Sequence, residues 1–149
     1  MTQTVTAINA IDAAIWLDKA GGTPTDISGS SNSVSIPLTQ QLGPFRNFGS
    51  RWPKRLEGGK DGAFRLVITY STAADEALDI LRDWFFATEP GARTIKVYVP
   101  DKNVGSDVYS AEVRIESLDI PLDSGKAEPI TVTANLLPDG AITHATNAT

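Results

Sequence analysis

Apolar residues recur at every second position in four stretches of this chain, and that period of two limits the folds open to it. Phe64, Leu66, Ile68 and Tyr70 alternate with Arg65, Val67 and Thr69. Ile95, Val97 and Val99 share one face of Thr94–Val99. Tyr109, Ala111, Val113 and Ile115 alternate with Ser110, Glu112, Arg114 and Glu116, and Ile130, Val132, Ala134 and Leu136 with Thr131, Thr133 and Asn135. Side chains of a strand point alternately to opposite faces, so each stretch predicts a strand with one buried side. Two shorter runs, Ala14–Asp18 and Val34–Leu38, add strands, with Pro37 marking an edge or an end. Within Val108–Asp123 the apolar phase slips by one residue to Leu118, Ile120 and Leu122, which predicts a bulge or a strand changing sheets.

One stretch has a different period. Ala74, Ala77, Leu78, Leu81, Trp84 and Phe85 recur at helical spacing, ended by Glu89-Pro90-Gly91. Thr72 with Asp75 three residues later has the form of a capping box. Turns are expected at Gly21-Gly22, at Ser28–Asn32, and at Asp123-Ser-Gly125-Lys126. The expected fold is mainly β: a two-sheet antiparallel sandwich or open barrel of six to seven strands, with one flanking helix and a long loop between early strands. A chain of 149 residues fits one domain, 1–149, with residues 143–149 expected as a polar tail that is mobile or used in contacts.

Composition narrows function by removal. No cysteine is present, so disulfide and thiolate chemistry are excluded. The first residues, MTQTVTAINAID, combine neither a basic region nor an apolar core, so no secretory signal is expected. No apolar run reaches membrane-spanning length. The single histidine, His144, lies in the polar tail without convergent partners for catalysis or metal binding. Asp101–Glu112 echoes a calcium loop, but Gly105 falls one place early and the flanks are strands, so a hairpin connection is the simpler reading. Glu112 and Glu116 share a strand face with Arg114, which reads as a solvated face rather than a pair of catalytic carboxylates. No enzyme and no cofactor is expected.

The segment QQLGPFRNFGSRWPKRLEGGK, residues 40–60, stands apart. It interleaves Phe45, Phe48 and Trp52 with Arg46, Arg51, Lys54, Arg55 and Lys60, and reads as neither strand nor helix. Its charge is +4, leaving −9 on the rest of a chain whose total is −5. Aromatic and basic residues together suit single-stranded nucleic acid, giving a nucleic-acid-binding β-barrel module as one reading. A membrane foot fits poorly, because Gly43, Pro44, Gly49 and Pro53 break any long amphipathic helix.

The order of elements resembles the major tail tube proteins of long-tailed, siphovirus-type bacteriophages. The likeness spans Ile15–Ile142. It rests on IWLDKAGGTPTDISGSSNSVSI, on GGKDGAFRLVITY with the helix ADEALDILRDWF, and on YSAEVRIESLDIPLDSGKAEPITVTANLLPDGAI. That family is related in fold to type VI secretion tube proteins, so a secretion-system tube protein is a second reading. The resemblance implies a structural virion protein of the phage tail, made and assembled in the host cytoplasm, whose rings of six stack into a hollow tube. Its implied partners are further copies of itself, a tape measure protein, tail tip and terminator proteins, and double-stranded DNA in passage, with no membrane binding.

The resemblance also makes residues 40–60 an inter-subunit loop, with contacts through Phe45, Arg46, Phe48, Arg51, Trp52, Lys54 and Arg55. Trp84, Phe85 and Phe86 become candidates for a helix interface, the alternative being that the helix stripe covers only the subunit's own sheet, and Glu112, Arg114 and Glu116 become candidates for the lumen face.

Overall fold

A computed structural model describes residues 7–19, 22–125 and 127–148. Gly21, Lys126, Thr149 and the first six residues, on which parts of the turn, leader and tail expectations fall, lie outside the described residues. Ten strands and one α-helix form among the described residues. In chain order they are β1 (Ala14–Lys19), β2 (Thr23–Asp26), β3 (Ser31–Ser35), β4 (Leu38–Phe45), β5 (Lys54–Gly62) and β6 (Phe64–Thr69). The helix α1 (Ala77–Phe86) follows, then β7 (Arg93–Val99), β8 (Asp107–Asp119), β9 (Thr131–Pro138) and β10 (Thr143–Thr146).

The chain is mainly β and antiparallel, as expected. Eight strands make one hydrogen-bonded sheet in the order β2-β1-β7-β8-β9-β6-β3, with β10 added along β8. β4 and β5 form a separate ribbon. The strands beyond the expected six or seven are β2, β4, β5 and β10. These are short, polar or glycine-containing segments that carry no two-residue apolar rhythm.

The alternating residues assemble the core. Ile15 and Leu17 of β1, Ile95 and Val97 of β7, Ala111 and Val113 of β8, Val132, Ala134 and Leu136 of β9, and Phe64, Leu66 and Ile68 of β6 belong to one buried cluster. Removing this apolar surface from water is the main force holding the sheet's shape. The phase slip in β8 is a bulge: its register against β9 shifts between Ile115 and Ser117. The bulge lets Val113 and Leu118 both contribute to the same core.

α1 closes the core with Ala77, Leu78, Ile80, Leu81 and Trp84. The capping box is not formed. The helix begins after Glu76, and Asp75 lies outside it at φ 63°. The Ala77 N–H is instead capped by Ser30 Oγ at 3.0 Å, a side chain 47 residues earlier. A tertiary acceptor satisfies the orphan donor that the local motif was expected to satisfy. The apolar stripe is also corrected: Ala74 and Phe85 are exposed, and Ile80 is buried in their place.

Residues 40–60 are only partly a loop: 40–45 and 54–60 are strand, and 46–53 connect them. β3 pairs with β6, and β4 pairs with β5, so residues 31–69 form one long hairpin whose inner half lies in the sheet and whose outer half is the ribbon. The two halves are separated by Ile36-Pro37 on one strand and Ala63 on the other, where the Ala63 N–H donates to the Pro37 carbonyl at 3.1 Å. Pro44 is tolerated because a two-stranded ribbon has no third strand for its missing N–H to serve. Gly58-Gly59 fit a register shift opposite Gln41.

The tail segment likewise takes a defined place. β10 pairs with the first residues of β8, placing His144 opposite Tyr109. Beyond it, buried Asn147 donates from Nδ2 to the carbonyls of Lys102 and Asn103, at 2.9 and 3.1 Å.

Candidate functional site

The ribbon is the most unusual surface of the molecule. Its strands span about 25–30 Å at roughly 3.3 Å per residue. Along both strands nearly every residue is exposed. An isolated two-stranded ribbon is marginally stable in water, so one whose two faces are both bare is suited to being covered by a partner.

The structure brings the arm candidates together at its far end. Phe45 pairs with Lys54 and is half-buried. The turn between the strands carries Arg46, Phe48, Arg51 and Trp52, with Gly49 at φ +84° shaping it. Phe48 is 109% exposed and Trp52 82%. Arg55 lies across from Pro44, and Leu38, Leu42 and Leu56 add exposed aliphatic groups. The arm therefore presents cations and large apolar groups side by side.

At its root the arm meets the segment after β9. A cleft there is lined by Leu38, Lys60, Gly62, Pro138, Gly140 and Ile142. Gly62, Pro37 and Ile142 meet at this root. Sequence reasoning missed all three as a unit, because they converge only through the turn that follows β9.

The helix candidates separate into two kinds. Trp84 is fully buried in the subunit's own core, which corrects its assignment as an interface residue. Its Nε1–H donates to the carbonyls of Pro90 and Gly91, at 2.9 and 3.1 Å, and the Arg93 guanidinium stacks 5.1 Å from the ring centroid. Burial holds Arg93 below its ordinary pKa, opposed by Asp18 and Asp83 nearby. Phe85 and Phe86 stay on the surface, edge to face at 5.4 Å between centroids, and Phe86 is 73% exposed.

The helix also carries acidic groups, of which Asp79 accepts from the Asp75 N–H at 3.0 Å. Asp79, Asp83 and Phe86 follow i, i+4, i+7 spacing along the outward side of α1, with Glu76 one turn before and Glu89 just beyond. Asp75 pairs with Lys19, and Arg82 lies 3.6 Å from Asp79.

The outer face of the sheet holds the third set. Glu112, Arg114 and Glu116 are all exposed, on the face opposite the core. Glu112 accepts a hydrogen bond from Thr94 Oγ1, and Arg114 pairs with Asp139 at 3.1 Å. Lys96 extends this face across β7, so its charges alternate in sign. His144, on β10, bonds to Asp107 at 3.0 Å and lies 5.3 Å from the Tyr109 ring.

The β7–β8 connection explains the echo of a calcium loop. Asp101 accepts from Ser106 Oγ at 2.7 Å and from the Asn103 N–H at 2.9 Å, tying the turn shut. These bonds, Ser106 first, hold its carboxyl below the ordinary value. Among the described residues no group of three or more His, Asp or Glu side chains is placed to hold a metal ion. No helix among them is long and apolar enough to cross a membrane.

No family model matches the chain, and no curated protein matches it in sequence. Solved structures do match. A chain in the tail of an empty gene transfer agent particle, refined with C6 symmetry, superposes with a TM-score of 0.73 at 18% identity, covering 93% of this chain and 99% of that one. A chain of the sheath/tube terminator of an extracellular contractile injection system gives 0.73 at 13% identity, covering 96% and 99%. The SPP1 tail tube gives 0.71 at 11% identity, covering 96% and 80%. The shared architecture extends over nearly the whole chain at identities too low to carry residue roles across. This chain has the fold found in the tail tubes of phage-like particles and in contractile injection systems.

Proposed function

We infer that this protein is the structural subunit of a tail tube, and that rings of six copies stack into a hollow conduit for double-stranded DNA. The observation that carries the reading is the ribbon β4–β5: an arm with both faces bare on a fold that serves in tubes. The sheet supports it as well. Among the described residues its strand order ends on β2 and β3, and head-to-tail pairing of such edges between copies closes a ring. Acidic body and basic arm attract each other between subunits, which favours self-association over capture of nucleic acid.

The outer sheet face with Glu112, Arg114 and Glu116 lines the lumen in this reading. Its mixed charge gives a passing phosphate backbone nothing to bind tightly. A tape measure protein inside the tube and terminator and tip proteins at its ends complete the partner set, and the assembly forms in the host cytoplasm and works in the virion tail. A tube of a contractile injection system is the second reading. It is favoured by the equally close superposition on the injection-system chain, and co-purification with a sheath protein distinguishes it.

Negative-stain electron microscopy of the purified protein tests the proposal. Rings or tubes formed without nucleic acid are expected. A protein that stays monomeric at high concentration and instead retards single-stranded DNA with steep salt dependence would refute it.

A further inference from the structure

We propose that the tip of the arm docks on the outward side of α1 of a second copy of the chain, with Trp52 and Phe48 against Phe86 and the arm cations against Asp79 and Asp83. This names the receiving surface for the arm and rests on the tube reading above.

Complementarity in charge and in exposed aromatic groups supports the pairing. Residues 40–60 carry five basic groups and one acid. Residues 75–89 carry the acids Asp75, Glu76, Asp79, Asp83 and Glu89 against the single base Arg82. The two segments therefore hold +4 and −4. Each also exposes aromatic rings among its charges: Phe48 and Trp52 on the arm, Phe85 and Phe86 on the helix.

An exposed aromatic pair beside carboxylates can receive a guanidinium on a ring face and a carboxylate together, a geometry that Arg46 and Arg51 can satisfy. Exposed aromatic and arginine groups are also the side chains that anchor protein interfaces. The helix is well suited to receive such an arm. Five core residues and the Ser30 cap hold α1 in place, so its outward stripe is rigid before docking.

A second acidic surface exists around the β8–β9 connection, where Asp119, Asp123 and Glu128 flank exposed Leu122. Its own described residues carry no aromatic ring, and the neighbouring Tyr70, bonded through its N–H to the Ile130 carbonyl, offers one ring against the pair on α1.

The chain has no cysteine, so paired cysteines report the contact directly. Trp52→Cys with Phe86→Cys in one chain should give a ladder of disulfide-linked oligomers on non-reducing gels of assembled tubes. Each single cysteine variant should give at most dimers. Separately, Asp79→Lys with Asp83→Lys should raise the concentration needed for assembly about tenfold, measured well below the variant's own thermal melt because Asp79 also accepts from the Asp75 N–H at the start of α1. Adding Arg51→Glu and Arg55→Glu to that variant should restore assembly.

Tubes that form normally from the double-cysteine chain without any ladder overturn the docking and leave the tube reading intact. So does normal assembly of the Asp79→Lys, Asp83→Lys variant alongside failure of Asp119→Lys, Asp123→Lys. A wild-type chain that never assembles overturns the tube reading and the docking together.

Discussion

Gly62 and Ile142 approach so closely that a Cβ on Gly62 would lie 2.7 Å from Ile142 Cδ1. The same Cβ would stand 3.0 Å from the Pro37 carbonyl oxygen, which is backbone and cannot swing aside as a side chain can. The arm leaves the sheet between Pro37 and Gly62, so this contact lies at its root.

Gly62→Ala should therefore leave the sheet folded and re-aim the arm. Overpacking of this kind costs about 1–3 kcal/mol, read as a lower thermal midpoint. Assembly should weaken more than stability does, because a small change of angle at the root displaces the tip by several times as much. Equal melting and normal tubes would show that the root does not control the arm.

Deleting residues 42–57 removes the outer arm without touching the core cluster. A folded monomer with a cooperative thermal melt and no tubes is the expected result. Tubes of normal length from this deletion, seen by electron microscopy, would remove the arm from assembly.

Trp84 belongs to the interior of the subunit. Trp84→Ala should cost about 3–5 kcal/mol in chemical denaturation, since it empties a fully buried site and strips the Pro90 and Gly91 carbonyls of their donor. Phe86→Ser, on the surface, should change stability by less than about 0.5 kcal/mol. Similar losses for the two would contradict the burial that separates them.

The end of the chain is structural as well. Asn147 closes the β7–β8 connection through its side chain and through backbone bonds to Gly105 and Ser106. Asn147→Ala should cost about 1 kcal/mol by removing the two side-chain hydrogen bonds from a buried residue to the Lys102 and Asn103 carbonyls. An unchanged melt would return this segment to the status of a tail.

Asp101 gives a pH dependence with a definite sign. Its folded pKa is depressed below the ordinary 3.8, so its contribution is present above that value and is lost as pH falls through the folded one. The Asn103 amide resonance should titrate with a midpoint below 3.8. Asp101→Asn should abolish that titration, and a midpoint at or above the ordinary value would refute the loop geometry.

Much of the fold was legible in the chain because it follows from local rules. A two-residue rhythm fixed which faces of β6, β7, β8 and β9 are buried, and one slip in that rhythm located the bulge between Ile115 and Ser117. Helical spacing located α1 within a few residues. The same reasoning failed wherever a distant group supplies the partner. Ser30 replaces the Thr72–Asp75 box as the cap of α1. Trp84, next to Phe85 and Phe86 in sequence, turns inward and donates to carbonyls that only the turn after the helix supplies.

Residues 40–60 show the division most plainly. Their sequence determined their chemistry: +4 of charge interleaved with aromatic rings, in a chain that is otherwise acidic. It did not determine their shape, because glycine and proline erase the alternation that marks a strand. Pairing of β4 with β5 decided that, as an outward extension of the β3–β6 hairpin. Hydrogen bonds between chain segments about twenty residues apart are a tertiary property. Side-chain pattern encodes which atoms avoid water, whereas backbone pairing depends on which segments the rest of the fold brings together.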